Sequence, residues 1–105
     1  MSMIKLYTQD NCGYCDILKK KLDEWGIKYS TLNISHDQSA KEYVKKRNHR
    51  VVPILYLDEF WVNKDIDTKE FTEKMFYDRL DVFIETMTPE ELALYVEKHE
   101  NGESV

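Results

Sequence analysis

The only two cysteines of this chain, Cys12 and Cys15, stand three residues apart where a strand pattern gives way to a helix pattern. Met3 to Thr8 carries the apolar run Ile4 to Tyr7 and reads as a strand, closed by the polar turn Gln9-Asp10-Asn11. From about Tyr14 to Glu24 the apolar residues Ile17, Leu18 and Leu22 recur at helical spacing, with Trp25 and a capping Gly26 at the end. Such a junction puts the first sulfur at a helix N-terminus, where unpaired N–H groups and the helix dipole favour a thiolate. A second thiol one turn away completes the apparatus for thiol–disulfide exchange.

Further elements follow the same alternation. Ile27 to Ile34 is expected as a second strand, and Ser35 or Asp37 as the cap of a helix running to about Arg47, with Ala40, Tyr43 and Val44 inward. Val51-Val52-Pro53-Ile54-Leu55-Tyr56-Leu57 reads as a strand with a proline in it. Proline cannot donate to a ladder, so it belongs at the strand's start or at an edge. A cis Val52–Pro53 bond would leave the Val52 backbone free to pair with an extended segment lying beside it. Asp58-Glu59 then turns into a fourth strand, Phe60-Trp61-Val62. Parallel strands need a crossover and antiparallel ones only a tight turn, so the order is β-α-β-α-β-β-α in a mixed sheet.

The last third reads as helix. Asp67 or Thr68 is expected to cap a long helix to about Glu85, with Phe71, Met75, Phe76, Leu80, Phe83, Ile84 and Met87 on one apolar stripe. Thr88-Pro89-Glu90-Glu91 signals a new start, with Thr as cap and Pro in the first turn, and a short helix from Leu92 to His99 follows. Asn101 to Val105 reads as a frayed polar tail.

At 105 residues the chain is expected to form a single domain, residues 1–105, and its 42% hydrophobic and 33% charged residues fit a soluble globular protein. It holds no apolar run long enough for a bilayer and no signal-peptide pattern, which predicts a cytoplasmic protein. In a reducing compartment a cysteine pair at this spacing is catalytic or metal-binding rather than a permanent staple. Net charge is −5, unevenly spread: residues 1–57 hold ten Lys/Arg against six Asp/Glu, and residues 58–105 five against fourteen. An acidic chain without basic residues interleaved among stacking aromatics does not suit nucleic acid. A structural zinc site is disfavoured, because His36, His49 and His99 are scattered and no second cysteine pair exists. Trp25 and Trp61 read as packing residues, and His49 as a surface loop residue.

With Ile4-Lys5-Leu6-Tyr7-Thr8, Cys12-Gly13-Tyr14-Cys15 and Val52-Pro53-Ile54-Leu55-Tyr56-Leu57-Asp58 in place, a little over half of the chain resembles a glutaredoxin, within the thioredoxin superfamily. The resemblance implies a thioredoxin-like α/β fold, a four-stranded mixed sheet flanked by helices. Residues from about 80 to 105 then form a family-atypical C-terminal helical extension. It implies a glutathione-dependent thiol–disulfide oxidoreductase acting on protein disulfides or glutathione mixed disulfides. Position by position, Cys12 matches the nucleophile and Cys15 the resolving thiol of a redox-active disulfide. Tyr14 matches a residue of the glutathione groove, Val52 the residue whose backbone pairs with glutathione, and Pro53 the cis-proline facing the disulfide. Arg50 sits where some relatives carry a basic residue near a glutathione carboxylate. Without gaps, Asp67 falls on the acidic residue that receives the γ-glutamyl amino group, with Thr68 beside it.

Three departures are visible. Gln9 stands where relatives often have Lys or Arg, and Asn63-Lys64 aligns to the family's Gly-Gly pair. Gly13 replaces a common proline, and relatives with glycine or serine there can hold a [2Fe–2S] cluster between two protomers. The second reading is therefore a cluster carrier or sensor, with Cys12 as ligand and glutathione as co-ligand. The third reading is a glutaredoxin-like protein recharged by thioredoxin reductase, which Tyr7-Thr8-Gln9-Asp10-Asn11-Cys12 also resembles. An alternative alignment treats residues 64–87 as an insertion and starts the family's last helix at Thr88-Pro89-Glu90-Glu91. The partners implied are glutathione and disulfide-bearing protein clients, with ribonucleotide reductase the client the family suggests. No nucleic acid, membrane or tightly bound cofactor is expected; the chain is expected as a monomer, with a homodimer through the tail as the alternative.

Overall fold

The computed structural model describes residues 4–85 and 88–90. Strand β1 (Ile4–Thr8) leads into helix α1 (Gly13–Glu24), then β2 (Ser30–Asn33), α2 (Gln38–Lys46), β3 (Ile54–Leu57), β4 (Phe60–Trp61) and α3 (Glu73–Glu85). The sheet order is β2-β1-β3-β4, with β1 parallel to β2 and antiparallel to β3, and β3 antiparallel to β4. This is the expected mixed sheet.

Period-two alternation divides the sheet into two faces. Leu6, Leu55 and Leu57 point to one side, where they bury against Leu18 and Leu22 of α1, Phe76 of α3, and the loop residues Val62 and Phe71. Tyr7, Ile54 and Tyr56 point to the other and bury against Ala40 and Val44 of α2. Strand β3 is buried along its whole length because both its faces are covered, which is why it reads as an unbroken apolar run.

The helix ends follow local chemistry. Gly26 adopts φ +72°, the left-handed conformation that a residue without Cβ enters at little cost. Asp37, not Ser35, caps α2: its carboxylate accepts from the Ala40 N–H at 3.0 Å.

Three expectations are corrected. The second strand is shorter than Ile27 to Ile34, because Ile27 N–H bonds the Leu22 carbonyl at 3.0 Å and so belongs to the end of α1. The third strand begins at Ile54, after the proline rather than around it. The last described helix begins at Glu73, not after Asp67 or Thr68. The Asp67 carboxylate instead accepts from the Lys69 N–H at 2.8 Å in a tight turn, and the Thr72 hydroxyl accepts from the Met75 N–H at 3.1 Å. The apolar stripe is also narrower than its spacing suggests. Phe71 and Phe76 are buried, Leu80 and Phe83 pack on the same core, and Met75 and Ile84 are exposed. Pro89 and Glu90 are helical, while Met87, the helix expected from Leu92 to His99 and the tail lie outside the described residues. None of the described helices is long and apolar enough to cross a membrane.

Candidate active site

The antiparallel register of β1 and β3 opposes Tyr7 to Ile54. The chain leaving β1 toward the cysteines and the chain entering β3 through Val52 and Pro53 therefore lie at one end of the sheet. Asn11 turns that corner at φ +57°, a conformation asparagine tolerates better than most residues. Cys12 then caps α1 with extended backbone, and its Sγ accepts from the Cys15 N–H at 3.0 Å. A sulfur at a helix N-terminus in contact with a backbone donor is held where negative charge is favoured.

Cys12 and Cys15 form a disulfide, with Cα atoms 5.2 Å apart. The two sulfurs differ in access: Cys12 is half-buried, whereas Cys15 is 1% exposed. The thiol nearer to solvent is thus the one at the helix mouth, and the other lies beneath it. Two residues upstream, the Asp10 carboxyl is held below its ordinary range by a 2.9 Å hydrogen bond from the Asn33 amide, with His36 at 2.7 Å also lowering it.

The Val52–Pro53 peptide bond is cis. Next to it opens a groove of about 520 Å³, lined by Tyr14, Val52, Pro53, Trp61, Asp67 and Thr68 among others. That volume suits a ligand of small-peptide size. Tyr14 is 47% exposed and presents its ring to the groove, with the Lys69 ammonium 5.5 Å from the ring centre. Lys64 lies likewise 6.0 Å from the Trp61 ring. Asp65 also lines the groove.

Of the residues singled out from sequence, the structure brings Tyr14, Val52, Pro53, Asp67 and Thr68 to one groove. Arg50 is not among the lining residues; its side chain is exposed to solvent on the loop before the cis bond. His49 is not a free surface histidine. It is half-buried, with Nε2 2.7 Å from the Tyr56 hydroxyl and its ring edge-on to Trp61 at 4.4 Å. Burial, and then the Arg47 charge, push its pKa down.

Residues not expected at the site also line the groove. Trp61 lines it as well as packing, and Asn63, Asp65 and Ile66 join it. Asn63 is buried with its carboxamide bonded to Leu55, Trp61 and Pro53. Lys21, in the last turn of α1, donates to the carbonyls of Thr68, Lys69 and Phe71 at 2.7, 3.0 and 2.9 Å, fastening the loop that carries Asp67 and Thr68. A polar residue directly after a strand was the available signal for Asn63. Lys21 offered none, since its partners are some fifty residues away. Among the described residues no group of three or more His, Cys, Asp or Glu side chains is placed to hold a metal ion.

Residues 4–62 match the family model described as Glutaredoxin. The glutaredoxin-like protein NrdH of Lactococcus lactis is 31% identical over 58 residues, covering 55% of this chain and 81% of that protein. Mycoredoxin 1 of Corynebacterium glutamicum is 40% identical over 55 residues, covering 50% of this chain and 67% of that protein. Among solved structures, a buckwheat glutaredoxin–glutathione complex superposes with a TM-score of 0.55 at 19% identity, covering 75% of this chain and 73% of that one.

Proposed function

The chain belongs to the glutaredoxin family of thiol–disulfide oxidoreductases, and from that premise we propose that Cys12 is its nucleophile, Cys15 its resolving thiol, and glutathione its reductant. The observation that carries this reading is the asymmetry of the pair: Cys12 is the more accessible sulfur and sits on the helix terminus, while Cys15 is buried behind it.

In the reduced protein Cys12 acts as a thiolate. It attacks one sulfur of a substrate disulfide, forming a Cys12–substrate disulfide and expelling the other sulfur as a thiolate that takes a proton from water. Cys15 then loses its proton and attacks the Cys12 sulfur. The Cys12–Cys15 disulfide forms, and the remaining substrate thiol leaves with its proton restored. Two electrons have passed from the dithiol to the substrate. One glutathione thiolate reopens the protein disulfide as a Cys12–glutathione disulfide, and a second attacks that sulfur of glutathione, releasing glutathione disulfide and the dithiol.

Tyr14, Val52 and Pro53 are suited to hold the peptide on either side of the reacting sulfur. Val52 precedes β3 and stands outside its ladder, so its backbone is the natural partner for an extended peptide. Asp67 and Thr68 would receive the peptide's ammonium end.

Recharging by thioredoxin reductase is the second reading. Asn63 and Lys64 occupy the positions of the family's Gly-Gly pair, and the likeness to a glutaredoxin-like NrdH protein supports it. Steady-state reduction of 2-hydroxyethyl disulfide, run once with glutathione and its reductase and once with thioredoxin reductase, separates the two. Turnover with glutathione, with a KM for glutathione raised by Asp67→Ala, supports the first. Turnover with thioredoxin reductase alone overturns it in favour of the second.

A further inference from the structure

Strand β4 is two residues long, and its pairing with β3 ends at Tyr56 opposite Trp61. One more ladder bond follows, from Val62 N–H to the Leu55 carbonyl at 2.8 Å. The chain then turns away, with Asp65 at φ +61°. Beyond that point the Leu55 N–H and the Pro53 carbonyl have no strand beside them. The Asn63 side chain supplies what is missing. Its Oδ1 accepts from the Leu55 N–H at 3.0 Å, and its Nδ2 donates to the Pro53 carbonyl at 3.1 Å.

A carboxamide offers the same donor and acceptor as a peptide group, so Asn63 continues the ladder with a side chain. The second lone pair of Oδ1 accepts from Trp61 Nε1 at 2.8 Å. This fixes which way the amide faces, because the flipped amide would set oxygen against oxygen at Pro53 and N–H against N–H at Leu55 and Trp61. Asn63 is 7% exposed, and buried hydrogen bonds of this kind are costly to leave half-made.

We infer that Asn63 is the positioning residue of the Val52–Pro53 ledge, holding it where a peptide disulfide lies in register with Cys12. The inference rests on the proposed function, in which that ledge grips the substrate backbone. Its consequence is selective. A substrate with a peptide backbone needs the ledge, whereas a small disulfide without one meets only the sulfur.

Asn63→Asp and Asn63→Ala test this. The first is isosteric and keeps both acceptor bonds while facing an oxygen at the Pro53 carbonyl; the second removes all three bonds. Each variant is reduced with dithiothreitol, freed of it, and mixed in single-turnover experiments with a glutathionylated cysteine peptide or with 2-hydroxyethyl disulfide. This needs no recharging system. Expected for both variants is a half-saturating peptide concentration raised about tenfold, with a clearly smaller loss on 2-hydroxyethyl disulfide. Hydrogen exchange at the Leu55 amide should also quicken in Asn63→Ala. Equal losses on the two substrates, or no loss on either, would overturn the inference, as would unchanged exchange at Leu55. If the parent protein reduces neither substrate, the proposed function fails with the substrate half of this inference, and Leu55 exchange still reports whether Asn63 makes the tie.

Discussion

The Lys21 ammonium lies 2.7 Å from the Thr68 carbonyl, tying the helix that begins at the cysteines to the loop that brings Asp67 and Thr68 to the groove. Two further carbonyls, of Lys69 and Phe71, occupy its remaining protons. An ammonium has three donors, and here each meets a backbone acceptor. Lys21→Met keeps most of the stem's packing and leaves those carbonyls without their donor. We expect a loss of about 1–3 kcal/mol of stability, read as a lower urea midpoint at unchanged slope. A midpoint within error of the parent would show that the loop holds itself.

The two cysteines should part company when mutated singly. Cys12→Ser is expected to abolish reduction of both protein disulfides and glutathione mixed disulfides. Cys15→Ser should keep the second activity, since a mixed disulfide on Cys12 can be resolved by an external thiol. Rates measured on each substrate with each variant decide it, and equal loss in both variants argues against the assigned roles.

His49 is expected to make stability depend on pH. Its folded pKa lies below the ordinary value near 6.5 because burial, and then Arg47, disfavour the imidazolium. Between that value and the lower folded one, the unfolded chain binds more protons than the native one. Stability conferred by neutral His49 is therefore complete above about pH 6.5 and is lost as pH falls toward the folded pKa. Urea midpoints at pH 7.5 and 5.5 should show a smaller acid-side drop in His49→Gln than in the parent. Parallel drops would mean that other groups carry the dependence.

Asp37 offers a purely local test. Its carboxylate bonds the Ala40 N–H at 3.0 Å, and Asp37→Ala should cost about 1 kcal/mol of stability. Asp37→Asn should recover most of it, because the amide oxygen can accept the same bond. Chemical denaturation of the three proteins gives the comparison, and a neutral Asp37→Ala would remove the cap from the account of α2.

What was legible in the sequence was local. The strand-to-helix hand-over at Cys12, the glycine at position 26 and a polar cap at Ser35 or Asp37, of which the fold uses Asp37, follow from interactions within a few residues. Pro53 marked a break in the ladder for the same reason, since a missing N–H is a property of one residue, although the strand was read as starting before it rather than after it. The start of α3 was misplaced because Asp67 and Thr68 have the chemistry of a cap. Here the Thr68 carbonyl instead serves Lys21, a residue 47 positions earlier in the chain, and Thr72 performs the capping.

His49 and Asn63 show the same limit. A histidine among Arg47, Asn48 and Arg50 looks solvated, yet Tyr56 and Trp61 enclose it. Asn63 looks like a departure from a glycine pair until β3 is seen to run short of a partner on that side.

Within the described residues, the residue order alone determined which elements form, their sequence, and which sulfur would stand at a helix mouth, because backbone propensity and capping act over one or two turns. Only the folded chain decided that Trp61, Asn63, Asp65 and Ile66 would join the groove, that Arg50 would stay outside it, and that Lys21 and Asn63 would tie the segments carrying Thr68 and Pro53. Those contacts join residues brought together by sheet pairing and core burial, and no spacing along the chain encodes them.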